Sequence, residues 1–346
     1  LKVSWPLAAV RAPPMLRNSV AVLFPAAVQL ASCGNASKCS AKASSPDPAL
    51  RVVTYNVRRF MGREGASTVS AIGSALASLQ PTVVALNEVD THLRPAALPE
   101  LADALGGFHY AFFGHVRGQY GNALLSRYPI AAIRETHLRG GTEFAFPPGT
   151  KKFNGEIAKE GEVHRIARGL LECDIELPAA YFGVPRVVTV AVTHLDHINE
   201  DQRCIQLEHI LEALGPNVAR ALIVGDLNAL NRDDYTNEEW RALEERHAAK
   251  GWSLRAGCLD QLAKAGLLDA FSASRNHTPL ALRSGPSEDP IFSAHVGHPL
   301  YRIDYCFVAA AGGLAPSSSR VHADIELSDH FPVSFDFRAP DLTAPL

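Results

Sequence analysis

Between Arg51 and Phe337 the chain alternates short apolar runs with amphipathic stretches, and polar residues repeatedly close the runs. The run over 221–229 is the sharpest case: Ala-Leu-Ile-Val gives way to Gly225, Asp226, Leu227 and Asn228. It is too short and too β-branched for a helix, so it predicts a buried strand whose C-terminal end delivers Asp226 and Asn228 to a cleft. Alone, the same residues fit an Asx turn that merely closes the strand. Other runs end alike: 51–56 predicts a strand ending in Asn56, 82–87 one followed by Glu88, and 186–193 one followed by His194. Further strands are expected over 108–113, 121–126 and 167–177. The run 302–308 carries one carboxylate, Asp304, against its apolar grain, and the last strand, 332–337, follows Ser328-Asp329-His330.

Helical spacing fills the intervals. Ser67 or Thr68 can cap a helix with Val69, Ile72, Leu76 and Leu79 on one face, stopped by Pro81. A second has Leu207, Ile210, Leu211 and Leu214 on one stripe and Gly215-Pro216 as its stop. Shorter helices are expected over 99–105, 238–249 and 258–267, and mostly loop over 272–297. The order strand, helix, strand brings Asn56 and Glu88 to the same end of one sheet. From 137 to 166 no periodicity holds. Loops of that length in a compact domain are functional or disordered, and this one carries Phe144, Phe146, Phe153, Lys151 and Lys152. Because it returns through His164, Arg165 and Arg168, it is expected beside the cleft and to choose the substrate. The bland alternative is that its rings bury one another.

Composition narrows the classes. The 346 residues are 47% hydrophobic with a formal net charge of -3, so a large core is within reach and no basic excess marks a duplex-DNA scaffold. A nuclease stays open. Six cysteines without a C-x-x-C pair argue against a disulfide framework or a cysteine zinc site, and Cys173 and Cys306 read as buried thiols. Up to residue 46 there is no acid, and Leu30-Ala-Ser-Cys33 follows an apolar stretch, which resembles a bacterial lipoprotein signal acylated at Cys33. An organellar presequence and mis-assigned upstream sequence are the alternatives, the latter leaving the protein cytoplasmic. The expected organisation is a targeting or disordered segment at 1–49, a catalytic domain at 50–338 and a tail at 339–346.

Asn56, Glu88, His194, Asp226, Asn228, Asp304, Asp329 and His330 all lie at or near predicted strand ends, and one shared cleft explains them together. Singly, Asp304 could pair with Arg302, and Ser328-Asp329 could cap a turn. Glu88 and Asp329, with Asn56 nearby, offer hard oxygen ligands suited to Mg²⁺ or Mn²⁺. Asp226 and His330 can take a proton from water while Asp304 holds the imidazole's tautomer. Asn228 and His194 can donate hydrogen bonds to phosphate oxygens, with Arg58, Asn122 and Arg168 as further substrate-binding candidates. Thr193-His194-Leu195-Asp196-His197 also partly matches a zinc-hydrolase motif but lacks the further histidines such a site needs.

Seven motifs occur in order: Thr54-Tyr55-Asn56, Leu86-Asn87-Glu88, Gly121-Asn-Ala-Leu-Leu-Ser126, Thr193-His194-Leu195, Gly225-Asp226-Leu227-Asn228, Arg302-Ile303-Asp304-Tyr305 and Ser328-Asp329-His330. On these the chain resembles the endonuclease/exonuclease/phosphatase (DNase I-like) superfamily across residues 51–338. The resemblance implies an α/β (α+β) fold, a four-layered α/β sandwich of two packed mixed β-sheets flanked by helices. It also implies a divalent metal on Glu88 and water activated by His330 with Asp226. Two positions depart from the common pattern: Asn87 stands where glutamine is frequent, and Arg58 where many members carry an aspartate. An extra acid at the metal is thus missing, and a phosphate-facing cation takes its place. The expected activity is metal-dependent hydrolysis of a phosphodiester or phosphomonoester, the substrate being a small molecule, a lipid headgroup or a nucleic acid. A nuclease is the nearer alternative and an inactive binding module the remoter one. No obligate protein partner is signalled, and a monomer is expected.

Overall fold

Buried apolar runs became strands and amphipathic runs became helices. In chain order they are β1 (Leu50–Asn56), α1 (Val69–Ser78), β2 (Val83–Asp90), α2 (Ala97–Ala104), β3 (His109–Val116), β4 (Tyr120–Ser126) and β5 (Ile130–His137). A small hairpin, β6 (Glu143–Ala145) and β7 (Val163–Arg165), precedes β8 (Gly169–Leu177), β9 (Arg186–His194), α3 (Glu200–Leu214) and β10 (Ala221–Asp226). The remainder is α4 (Asn237–Ala248), α5 (Gly257–Lys264), β11 (Leu267–Asp269), α6 (Ala270–Ser274), β12 (Asp304–Ala309), β13 (Ala315–Val321) and β14 (Val333–Arg338). This computed structural model describes residues 49–62, 65–150, 156–252, 254–275, 290–297 and 300–339. The expected targeting segment with Cys33, most of the C-terminal tail, and Lys151, Lys152 and Phe153 lie outside the described residues.

Two six-stranded sheets result, ordered β13-β14-β1-β2-β4-β3 and β11-β12-β10-β9-β8-β5. Their inner faces share one core, in which Val52, Val83 and Leu124 of the first meet Leu171, Val192 and Val224 of the second. Helices α1 and α2 seal the outer face of the first sheet through Ile72, Leu76 and Leu101. Helices α3 and α5 seal the second through Leu207, Ile210 and Leu262. Helix, sheet, sheet, helix is the four-layered sandwich expected, with both sheets mixed.

In each sheet one strand pair is parallel, β1 with β2 and β9 with β10. A parallel pair needs a crossover, which α1 and α3 supply. Both pairs therefore end at the same edge of their sheet, with Asn56 opposite Asn87 and Asp226 opposite His194. Antiparallel β12 begins at that edge, so Asp304 lies opposite Asp226.

The differences from the sequence pattern are mostly at sheet edges. Strands β5, β11 and β13 were not predicted. All three are edge strands, and β5 alternates half-buried with exposed residues while β13 reads Ala-Pro-Ser-Ser-Ser-Arg-Val. Polar edges of this kind protect a sheet from further pairing and erase the apolar signal. Strand β2 runs on to Asp90 across a register shift between Leu86 and Val89. Helix α5 stops earlier than expected, at Lys264, because Gly266 (φ 76) turns the chain into β11.

Candidate active site

The shift in β2 places Glu88, which adopts φ 59. Asn228 (φ 51), Arg58 (φ 45), Arg59 (φ 60) and Phe60 (φ 55) share this left-handed region. Non-glycine residues pay strain of order ~1–3 kcal/mol there and persist only where their surroundings fix them. These five lie at or near the ends of β1, β2 and β10, whereas Gln80 (φ 51) and Arg117 (φ 57) adopt the same region elsewhere.

The site is centred on one oxygen. Asp226 Oδ2 receives a hydrogen bond from Asn56 Nδ2 at 3.1 Å, and faces His194 Nε2 at 3.5 Å and His330 Nε2 at 3.8 Å. Its other oxygen accepts from the Asn228 backbone at 3.0 Å. The same Asn56 amide donates to Glu88 Oε1 at 3.1 Å, which ties an acid of the first sheet to one of the second. Behind His330, Asp304 Oδ2 accepts a hydrogen bond from Nδ1 at 2.8 Å. Burial pushes the Asp226 carboxyl up to about 7, helped by the charges of Asp304 and Glu88 and opposed by His330. Burial works against the His330 imidazolium, but Asp304 first and Asp226 next outweigh it and raise it to about 10.

Asn87 explains why the two sheets meet so closely here. It is fully buried; its Nδ2 donates to Asn122 Oδ1 and to Thr193 O, both at 2.9 Å, and its Oδ1 accepts from Asp226 N at 2.9 Å. A Cβ at Gly225 would stand 2.0 Å from Thr193 O and 2.9 Å from Asn87 Oδ1, so only glycine permits this approach. Asn122, expected on the substrate, is corrected: it is 0% exposed and spends its amide on Gly169 O at 2.9 Å. Asn228 is only half available, since its Nδ2 donates to Leu195 O at 3.2 Å. Arg302 does not pair with Asp304; it binds Asp234 at 2.6 Å and Asp269 at 2.7 Å.

Around His194 the partners are basic. Arg168, 6% exposed, donates from Nη1 to His194 Nδ1 at 3.4 Å and from Nη2 to His197 Nδ1 at 3.2 Å. A guanidinium thus takes up the Nδ1 atoms of both histidines and stands where a zinc ion shared through those nitrogens would sit. Asp196 is likewise spoken for: it accepts from the Thr142 backbone at 2.7 Å and hydroxyl at 2.9 Å, and from Ile198 N at 2.8 Å. It thereby fastens the β6–β7 hairpin beside His194. On that hairpin Phe144 and Phe146 pack edge to face at 4.9 Å, and Phe146 meets His164 at 4.9 Å.

Two residues escaped sequence reasoning. Tyr120 hydrogen-bonds to Glu88, and burial together with that carboxylate pushes its phenol well above the usual range. His115 is 4% exposed with neither ring nitrogen hydrogen-bonded, and burial followed by the Arg168 charge holds it down to about 3. Tyr120 directly precedes the Gly121-Asn122 motif, which was the only available signal; His115 had none.

Two groupings could hold a metal. Asp226, Asp304 and His330 each offer a ligand atom within 4.8 Å of the others. Of the two histidine nitrogens, Nδ1 is already taken by Asp304 at 2.8 Å, so an ion among these residues would reach the ring only through Nε2. Glu88, Asn56 and Asp329 form the other. Ser328, bonded to Asn56 O at 2.8 Å, sets Asp329 beside that strand end, and Arg58 lies 3.7 Å from its carboxylate. All three offer hard oxygens, although Asn56 Oδ1 also accepts from Arg58 N at 3.1 Å, and the buried Oδ1 of Asp304 in the same cleft has no hydrogen-bond partner, a donor set that fits a divalent cation.

A family model described as "Endonuclease/Exonuclease/phosphatase family" matches residues 53–330. Among solved structures, the chain is similar to an endonuclease/exonuclease/phosphatase from Beutenbergia cavernae DSM 12333, at 21% identity and TM-score 0.53, over 84% of this chain and 72% of that one. It is also similar to a mannosyl-6-phosphatase from Bacteroides thetaiotaomicron VPI-5482, at 17% identity and TM-score 0.54, over 83% and 99% of the two chains. The human Nocturnin catalytic domain with bound sulfate gives 17% identity and TM-score 0.55, over 85% and 94%. At such identities the likeness shows the fold. A search of curated proteins gave no match.

Proposed function

We propose, on the premise that this chain belongs to the endonuclease/exonuclease/phosphatase family, that it is a divalent-metal-dependent phosphoesterase that uses water to cleave a phosphodiester or phosphomonoester. The observation carrying this reading is the meeting of Asn56, His194 and His330 nitrogens on one Asp226 oxygen, with Glu88 on the same Asn56 amide. A phosphatase among the structural relatives is in keeping with it.

Glu88, Asp329 and Asn56 would hold Mg²⁺ or Mn²⁺, which when bound supplies Lewis-acid polarisation of a phosphoryl oxygen. The chain's own residues do the rest. Asp226, buried and displaced toward neutrality, accepts the proton of the attacking water. His330, held on Asp304 through Nδ1, keeps its Nε2 toward Asp226 and steadies the carboxylate before it takes that proton. His194 and the free amide hydrogen of Asn228 donate to oxygens on which negative charge gathers, and Arg58 adds a cation at the rim. The hairpin fastened by Asp196 supports a part for the 137–166 segment in choosing the substrate. With a net charge of -3, a compact phosphoester is favoured over duplex nucleic acid.

The test is a panel of activated phosphodiesters and phosphomonoesters, sugar phosphates, inositol phosphates, sphingomyelin, RNA and single- and double-stranded DNA, each assayed with Mg²⁺ and with EDTA. Hydrolysis that needs Mg²⁺ and stops in EDTA is expected. Full turnover in the chelated protein would overturn the metal-dependent reading, and preference for a polynucleotide would make it a nuclease.

A further inference from the structure

The two histidines that face Asp226 are backed by opposite partners. Behind His330 stands a carboxylate, Asp304, and behind His194 a guanidinium, Arg168. A carboxylate can only accept, so His330 carries its proton on Nδ1. A guanidinium can only donate, so the Nδ1 of His194 must offer its lone pair. For a neutral ring the proton is then on Nε2, the nitrogen 3.5 Å from Asp226 Oδ2. His197 is caught in the same way by the second arm of Arg168 at 3.2 Å.

The Asp226 carboxylate, 3.5 Å from Nε2, is the neighbour that would favour a charged His194 ring, and burial with the surrounding basic groups opposes it. Arg168 is almost fully buried, makes no ion pair among the described residues, and is surrounded by imidazoles: His194, His197 and, through charge, His115. A protonated ring there would set two buried cations side by side, a costly arrangement. Burial first, and Arg168 next, keep His194 well below its usual range and bring His197 down to about 4.

We infer that Arg168 is a positioning residue that locks His194 as a neutral Nε2–H donor. The functional half of this inference rests on the phosphoesterase reading above. In that reaction His194 offers one fixed hydrogen bond to the developing charge on the phosphoryl oxygen, and it neither competes with Asp226 for the water's proton nor returns one to the leaving group. Sequence spacing could not reveal the device, because the lock depends on β8 bringing Arg168 beside the end of β9.

Long-range ¹⁵N–¹H correlation spectra of the full chain labelled at histidine read the tautomer without turnover, with His194 identified by the signal lost in His194→Gln. A neutral ring protonated on Nε2 at pH 7 is expected. Protonation of His194 on Nδ1, or on both nitrogens, would overturn the lock, whether or not the protein proves to be a phosphoesterase. Kinetics then separate positioning from direct contact. Arg168→Met should lower kcat by about 10- to 100-fold, the range for a misplaced oxyanion donor, with KM nearly unchanged. His194→Ala placed on that background should cost little more, since the two residues act as one unit. Multiplying losses, or a fall confined to KM, would mean that Arg168 meets the substrate itself.

Discussion

Arg302 lies two positions before Asp304, the first residue of β12, and each anchors a buried charge cluster of a different kind. Arg302, 1% exposed, binds Asp234 and Asp269 and lies over the Tyr305 ring at 4.3 Å. Burial opposes its charge, yet the two aspartates win and raise it well above the ordinary value, so the guanidinium keeps its charge at any working pH. Asp304 has a histidine as its counter-ion, and that histidine faces a second carboxylate pushed up to about 7. The first cluster holds charge still; the second is built so that a proton can move. A buried acid beside a fixed cation is therefore read here as structure, and one beside a titratable cation as chemistry.

The comparison breaks most visibly at Arg302. Arg302→Leu leaves Asp234 and Asp269 buried without their cation and should cost about 3–5 kcal/mol of stability, measured by urea unfolding. The folded fraction should keep the wild-type pH profile. An altered profile would mean that the two clusters are one. Next, Glu88→Gln removes a proposed metal ligand and leaves the Arg302 cluster untouched. Activity should fall at least about tenfold at limiting Mg²⁺ and recover in part as Mg²⁺ is raised. A defect indifferent to Mg²⁺ would take Glu88 away from the ion.

The mobile proton gives the third prediction. Asp226 must be a carboxylate to accept a proton, and its raised value means that it is neutralised as the pH falls below about 7. The rate constant kcat/KM should therefore drop by about tenfold per pH unit on the acid side. Bound Mg²⁺ beside Glu88 moves that limb to lower pH. Above it the profile should stay level until His330 loses its proton near about 10. A profile that is level throughout the acid range at every Mg²⁺ concentration would mean that no carboxylate of this kind takes part.

The pattern of runs made the layers and much of the cleft legible for one reason. Strands such as β10, whose residues are all buried, read as unbroken apolar stretches, and a polar residue at their end stands out. Asn56, His194, Asp226 and Asp304 were visible in that way, and the structure brings them together. Edge strands were not, since half-exposed positions carry no period that differs from a loop. Partner choice was also hidden: that Arg302 turns to Asp234 rather than Asp304 depends on a loop 68 positions away in sequence. The burial of Asn122 could not be read either, because its amide faces the backbone of β8 in the other sheet. Asn87, one methylene shorter than the expected glutamine, is used as a tie between sheets, a role that exists only once both are assembled.

The account stands on Asp226 as the proton acceptor with His330 as its partner, and turnover of an activated phosphoester at saturating Mg²⁺ addresses both. Asp226→Asn and His330→Ala should each lower kcat by at least about 10²-fold, with the melting temperature far less affected than in Arg302→Leu. Wild-type kcat in Asp226→Asn, or a defect confined to KM, would contradict it.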